Sequence, residues 1–194
     1  MRIGILGGTF DPPHVGHVAL AEAARDQLEL DEVVFVPAAR NPLKATRAAH
    51  PKDRIEMVRR AVSGHDGLSY SDIEIARGGK SYMIETLTEL QIAKPGDYWL
   101  IIGGDALREF PQWKAPDKIL LRARLAVALR SPQRKDELLP HIAEWLPDHI
   151  DWIETAIPEV SSTEIRLRIE ARRPYAHWLA KPVLDYIEER KLYR

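Results

Sequence analysis

A doubly wound, parallel α/β sheet is the fold class that this 194-residue sequence predicts, and three observations carry the expectation. Short apolar runs alternate with stretches of helical periodicity along the chain. Neither an internal repeat nor a low-complexity tract interrupts them. The composition, 45% hydrophobic and 29% charged, is that of a folded domain with a sizeable core. Strands separated by helices pair in parallel through right-handed crossovers. In such sheets, ligands sit beyond the carboxyl ends of the strands, at the point where the strand order reverses.

Residues 2–6 read as the first strand and 16–28 as a helix, whose polar Glu22, Arg25, Asp26 and Glu29 fall on its solvent side. The run 33–36 is a second strand closed by Pro37, and 53–63 a helix with Ile55, Val58 and Val62 toward the core. An extended stretch over 68–75 leads into the turn Arg77-Gly78-Gly79-Lys80 and a helix over 81–92. Residues 98–102 form a buried strand, 125–129 another, 137–145 a helix and 150–153 a short strand. Helices over 163–171 and 181–191 finish the chain. We expect one domain over 1–194, with 161–194 as its helical part. The loop 37–51 is the one long irregular segment, the kind that often serves as a binding lid.

Composition narrows the chemistry. With no cysteine, disulfides, thiolate catalysis and cysteine-based zinc sites are excluded. A net charge of −1 argues against broad nucleic-acid binding. The first residues form a strand rather than a charged and then apolar leader, and no run reaches the ~20 apolar residues that span a bilayer. A cytoplasmic setting without membrane contact is the expectation, and a homo-oligomer stays open.

Two helix beginnings carry the chemistry. Gly7-Gly8-Thr9-Phe10-Asp11-Pro12-Pro13-His14-Val15-Gly16-His17 follows the first strand. Its glycines allow close backbone approach and positive φ. His14 and His17 are three apart and share one face of a first helical turn. Bare N–H groups and the helix dipole make that turn a seat for polyphosphate. The same spacing suits a metal pair with Asp11 as third ligand, but no further His/Cys cluster accompanies it. Late in the chain, Val160-Ser161-Ser162-Thr163-Glu164-Ile165-Arg166 reads either as a capping box between Ser161 and Glu164 or as a second phosphate cradle. Ile101-Ile102-Gly103-Gly104-Asp105 is a strand, glycine turn and acid, which by itself suits a helix cap.

Together these strings resemble the nucleotidyltransferase superfamily, whose signature GGTFDPxHxGH the first one matches. More narrowly, they are similar to the bacterial nicotinate-mononucleotide adenylyltransferases. The resemblance runs from Arg2 to Tyr193 and implies a Rossmann-like fold. By it, His14, His17 and Arg166 are the catalytic residues. Gly7, Gly8, Thr9, Phe10, Gly103, Asp105, Arg130, Ser161, Ser162 and Thr163 would bind ATP. Lys44 in Asn41-Pro42-Leu43-Lys44, with Arg54 and Met57 downstream, resembles the family's lid. Tyr82, Met83, Thr86 and Trp113 would frame the mononucleotide, Trp113 by stacking on the pyridine ring. Met83 stands where the family usually has a threonine whose hydroxyl helps hold the pyridine carboxylate. Leu43 replaces a common histidine.

The implied reaction is ATP plus nicotinate mononucleotide giving deamido-NAD and pyrophosphate. The acceptor phosphate brings its own nucleophilic oxygen, so catalysis is in-line positioning and charge stabilisation. Mg2+ is the implied cofactor and, keeping much of its water shell, needs no assigned protein ligand. The alternatives are an enzyme preferring nicotinamide mononucleotide or another acceptor such as pantetheine phosphate, and a non-catalytic nucleotide sensor.

Overall fold

In the computed structural model, residues 1–40, 48–129, 135, 147–154 and 158–194 are described. Their strands are β1 (Arg2–Gly8), β2 (Glu32–Pro37), β3 (Leu68–Tyr70), β4 (Asp97–Gly103), β5 (Ala123–Ala128) and β6 (Ile150–Ile153). Their α-helices are α1 (Val15–Gln27), α2 (Pro51–Val62), α3 (Ile73–Arg77), α4 (Met83–Ala93), α5 (Gly104–Glu109), α6 (Pro116–Leu120), α7 (Ser162–Glu170) and α8 (Lys181–Arg190). The six strands make one sheet in the order β3-β2-β1-β4-β5-β6, every neighbouring pair parallel.

Alternation along β1 explains why both faces are covered. Ile3 and Ile5 join Val34, Val36, Leu100, Ile102, Leu125 and Val127 on one face, packed on Leu87, Leu107, Phe110 and Ile119 of α4 to α6 and the turn after α5. Leu6 joins Val33, Phe35, Ile101 and Ala126 on the other, under Leu20, Ala21 and Ala24 of α1 and Val58 and Val62 of α2. Strands buried on both faces are the mark of a doubly wound sheet. A third cluster ties Met57 and Ala61 of α2 to Ile165 and Ile169 of α7 and to Val183 and Ile187 of α8. The late helices therefore sit on α2. The order reverses between β1 and β4, which opens a crevice at their carboxyl ends.

Several expectations change in detail. The sequence reads 68–75 as one extended stretch, yet only Leu68–Tyr70 finds ladder partners on β2. Beyond it, the Ser71 hydroxyl accepts from the Ile73 N–H at 3.3 Å and the Asp72 carbonyl from the Ala76 N–H at 2.8 Å, starting α3 instead. The buried stripe of α2 is Asp53, Arg54, Met57, Val58, Ala61 and Val62, with Ile55 only half-buried. Gly7 and Gly8 belong to β1 itself, and the positive φ falls on Phe10, at 51°. Gly7 is needed for space: a Cβ there would meet the Met83 methyl at 2.9 Å. The helix expected over 137–145 lies outside the described residues. Among the described residues, no helix is long and apolar enough to cross a membrane.

Candidate active site

Gly7 and Gly8 close β1 at the crevice, and the chain turns there to start α1. His14 is the N-cap of α1 and His17 its third residue, which stacks their rings with centroids 3.7 Å apart. The His14 backbone N–H donates to His17 Nδ1 at 3.2 Å. Nδ1 is thus an acceptor, which puts the His17 ring proton on Nε2. The Phe10 ring, edge-on to His17 at 5.0 Å and tilted against Phe35 at 5.5 Å, backs the imidazole from the core. Because that ring is buried, Phe10 can offer ATP only its backbone. No acidic residue stands in the first turn of α1 to offset its positive dipole end.

The two distant motifs meet. The Ser162 hydroxyl donates to the Pro12 carbonyl at 2.8 Å, and Arg166 Nη1 to the Asp11 carbonyl at 2.7 Å. Arg166 Nη2 reaches the Thr163 hydroxyl at 3.3 Å. Ser161 caps α7 by accepting from the Glu164 N–H at 3.1 Å. The Glu164 carboxylate turns to Arg168 Nε at 2.7 Å, so the capping box is half made. Ser161 therefore spends its hydroxyl on the helix, while Ser162 and Arg166 hold the early turn.

Two buried charges lock this junction. Arg54, 2% exposed, donates to three carbonyls: Thr9 at 2.9 Å, Ala49 at 3.2 Å and Ala39 at 3.3 Å. Burial pulls its pKa below the usual arginine value, against the opposing pull of Asp11. Asp11, 4% exposed, accepts at Oδ1 from the Ala49 N–H at 3.1 Å and the Tyr193 hydroxyl at 2.7 Å. Its Oδ2 lies 3.7 Å from Arg166 Nη1. The sequence marks Arg54 through the lid resemblance, but a tyrosine 182 positions away from Asp11 leaves no local signal.

Across the crevice, Gly103 caps α5 and faces open space, and Asp105 stands exposed in the first helical turn, 3.7 Å from Arg108. Tyr82, Met83 and Trp113 are half-buried. Lys114 Nζ lies 4.2 Å over the Tyr82 ring and bonds Glu85 at 2.6 Å, which holds the Glu85 carboxyl below its ordinary pKa. Trp113 Nε1 is buried without an acceptor among the described residues. The Thr86 hydroxyl is wholly buried, donating to Glu74 at 2.6 Å and accepting from Arg77 at 3.0 Å. Lys44 and Arg130 lie outside the described residues. A cavity of about 300 Å³ runs along α1 past His14, Val18, Glu22 and His65, on the flank away from Gly103 and Trp113, neither of which lines it.

Among the described residues, no group of three His, Cys, Asp or Glu side chains could hold a metal ion. Asp11, the buried carboxylate nearest the turn, is already occupied by its donors. This donor set fits a cation carried on phosphate oxygens and water rather than a protein cage.

Comparison with known proteins gives a consistent picture. Residues 5–168 match the family described as cytidylyltransferase-like. A Roseiflexus sp. protein named "Probable nicotinate-nucleotide adenylyltransferase" is 41% identical, with 99% of this chain and 98% of that one covered. A Bordetella pertussis protein of the same name is 40% identical over 100% of this chain and 98% of its own. Among solved structures, Plasmodium falciparum nicotinic acid mononucleotide adenylyltransferase in complex with NaAD superposes with a TM-score of 0.75. It covers 99% of this chain and 97% of that one at 18% identity, a likeness of fold.

Proposed function

Because the chain belongs to the nicotinate-nucleotide adenylyltransferases, within the cytidylyltransferase-like family, we infer that it transfers the adenylyl group of ATP to nicotinate mononucleotide, releasing pyrophosphate. The product is deamido-NAD, an intermediate of NAD biosynthesis. The observation that carries the site is the meeting of the α1 and α7 beginnings at the carboxyl end of β1. Two helix N-termini aimed at one crevice suit one triphosphate.

The chemistry asks for little beyond placement. A mononucleotide phosphate oxygen attacks the α-phosphorus of ATP in line, the bond to the β-phosphate bridge breaks, and pyrophosphate leaves with the electron pair. In our reading, His17 Nε2–H and His14 donate to oxygens of the α- and β-phosphates as negative charge spreads onto them. Thr9 and the backbone of Gly7, Gly8 and Phe10 line the same wall. The α7 N-terminus, with Ser162, Thr163 and the open side of Arg166, receives the departing pyrophosphate; Ser161 contributes by capping that helix. Gly103 leaves room for adenosine, and Asp105 stands where ribose hydroxyls would come. Tyr82, Met83 and Trp113 enclose the pyridine, and the resemblance gives Lys44 and Arg130, outside the described residues, to the substrate phosphates. A divalent cation serves this reaction, and we take it to be Mg2+, which when bound screens the phosphate charge. The substrates are small soluble phosphates, which supports a cytoplasmic setting with no nucleic-acid partner. The packing of α7 and α8 on α2 supports one domain over 1–194, with 161–194 as its helical part.

Parallel assays with ATP, Mg2+ and nicotinate mononucleotide, nicotinamide mononucleotide or pantetheine phosphate test this function. We expect pyrophosphate and dinucleotide release to be fastest with the acid mononucleotide. Faster turnover of pantetheine phosphate, or none with any acceptor, would contradict it.

A further inference from the structure

We propose that Tyr193 is a positioning residue for adenylyl transfer, holding the Asp11 carboxylate and, through it, Arg166 and the turn that carries His14 and His17. The inference rests on the function proposed above and adds a residue to its machinery to which the sequence assigns no role.

A carboxylate as buried as Asp11 is costly unless its lone pairs are used. Oδ1 has two donors, the Ala49 N–H and the Tyr193 hydroxyl, and the hydroxyl is the shorter contact at 2.7 Å. Oδ2 faces Arg166 at 3.7 Å, while that guanidinium makes its 2.7 Å bond to the Asp11 carbonyl. With the hydroxyl gone, Asp11 rotates toward the arginine to replace the lost donor. Arg166 then leaves the carbonyl, and the turn loses one of its two ties to α7. Burial and the neighbouring carboxylate raise the Tyr193 pKa, so the phenol stays a donor throughout the working pH range.

The backbone supports the same reading. Lys191 and Tyr193 both take left-handed conformations, with φ of 52° and 64°. Two non-glycine residues held there cost free energy, and such strain persists where the surroundings demand it. Here it brings the ring back under the early turn. Tyr186 supplies the contrast. Its hydroxyl donates to Asp53 Oδ1 at 2.8 Å, joining α8 to α2, and Asp53 lies 3.6 Å from Arg190 Nε.

The test compares Tyr193→Phe with Tyr186→Phe in steady-state assays and thermal unfolding. Tyr193→Phe should lower kcat about tenfold, the worth of a hydrogen bond to a charged group, with the KM of the mononucleotide within about twofold. Tyr186→Phe should lower the unfolding midpoint as much as Tyr193→Phe does, while its kcat stays within about twofold of the parent. Tyr193→4-aminophenylalanine keeps a donor of the same shape and should return kcat to within about threefold of the parent. Should Tyr193→Phe fail to fold, the 4-aminophenylalanine and 4-methylphenylalanine substitutions make the same comparison. Equal kcat for the two phenylalanine variants in an active preparation, or no difference between donor and methyl, overturns the inference alone. A parent chain that forms no dinucleotide overturns the function and the inference together.

Discussion

At the phosphate end of the crevice, Asp11, Arg54, Ser162 and Arg166 are bound to one another or to backbone carbonyls, and two of them are almost wholly buried. At the end proposed for the pyridine, Tyr82, Met83 and Trp113 stand half-buried, and the Trp113 N–H meets no acceptor among the described residues. The first end is finished without substrate; the second offers apolar surface that a flat ring can complete. The triphosphate is where charge develops in the transition state, so rigidity there lowers the cost of reorganisation. In the proposed function, the end with Tyr82, Met83 and Trp113 decides which acceptor is taken. Discrimination there depends on which polar groups a substrate leaves unpaired.

Variants can break or sharpen that contrast. The largest effect belongs to His17→Ala, which should reduce kcat on the order of 10²-fold or more with little change in either KM. A loss confined to KM would place His17 in ground-state binding instead. Next comes Arg54→Met, which strips three buried carbonyls of their donor and should cost about 3 kcal/mol in urea unfolding. If stability hardly changes, the phosphate end is not the locked region described. Trp113→Ala should raise the KM of the mononucleotide roughly tenfold, as loss of an aromatic stacking surface does, and leave that of ATP alone. Met83→Thr restores a hydroxyl near the ring and should raise the acid-to-amide ratio of kcat/KM by about fivefold, the worth of one net hydrogen bond.

The smallest effect is electrostatic. Lys114 holds the Glu85 carboxyl below its ordinary pKa, so their pair stabilises the fold above that value and is lost as pH falls through the lowered one. Lys114→Gln should let the Glu85 carboxyl titrate at a higher pH by NMR, with only a slight change in stability because the pair is exposed. An unmoved Glu85 titration would show that Lys114 does not set it.

Much of this was legible in sequence because the signals are local. Short continuous apolar runs and helical stripes locate most of the strands and the long helices within a residue or two. The Gly7 to His17 string and the Ser161 to Arg166 string announced their turns through side-chain chemistry at short spacing. The extended reading of 68–75 overreaches because strand-like residues do not say whether a sheet edge has room for them. Only three residues pair with β2, and the buried Glu74 belongs to a helix that feeds Thr86. Thr86 lies in the string that resembles a binding motif, and only tertiary packing sets its hydroxyl between a buried acid and Arg77. Tyr193 closes the stretch of resemblance, but its role is not legible either: its partner is at the other end of the chain, and only the folded packing brings them together.

The account stands on one triphosphate lying between the first turn of α1 and the first turn of α7. A crystal structure with a non-hydrolysable ATP analogue and Mg2+ tests it most directly. We predict His14 and His17 within hydrogen-bond reach of α- and β-phosphate oxygens, and the γ-phosphate against Ser162, Thr163 and Arg166. A triphosphate seated elsewhere, or the two imidazoles ligating a metal ion, would contradict it.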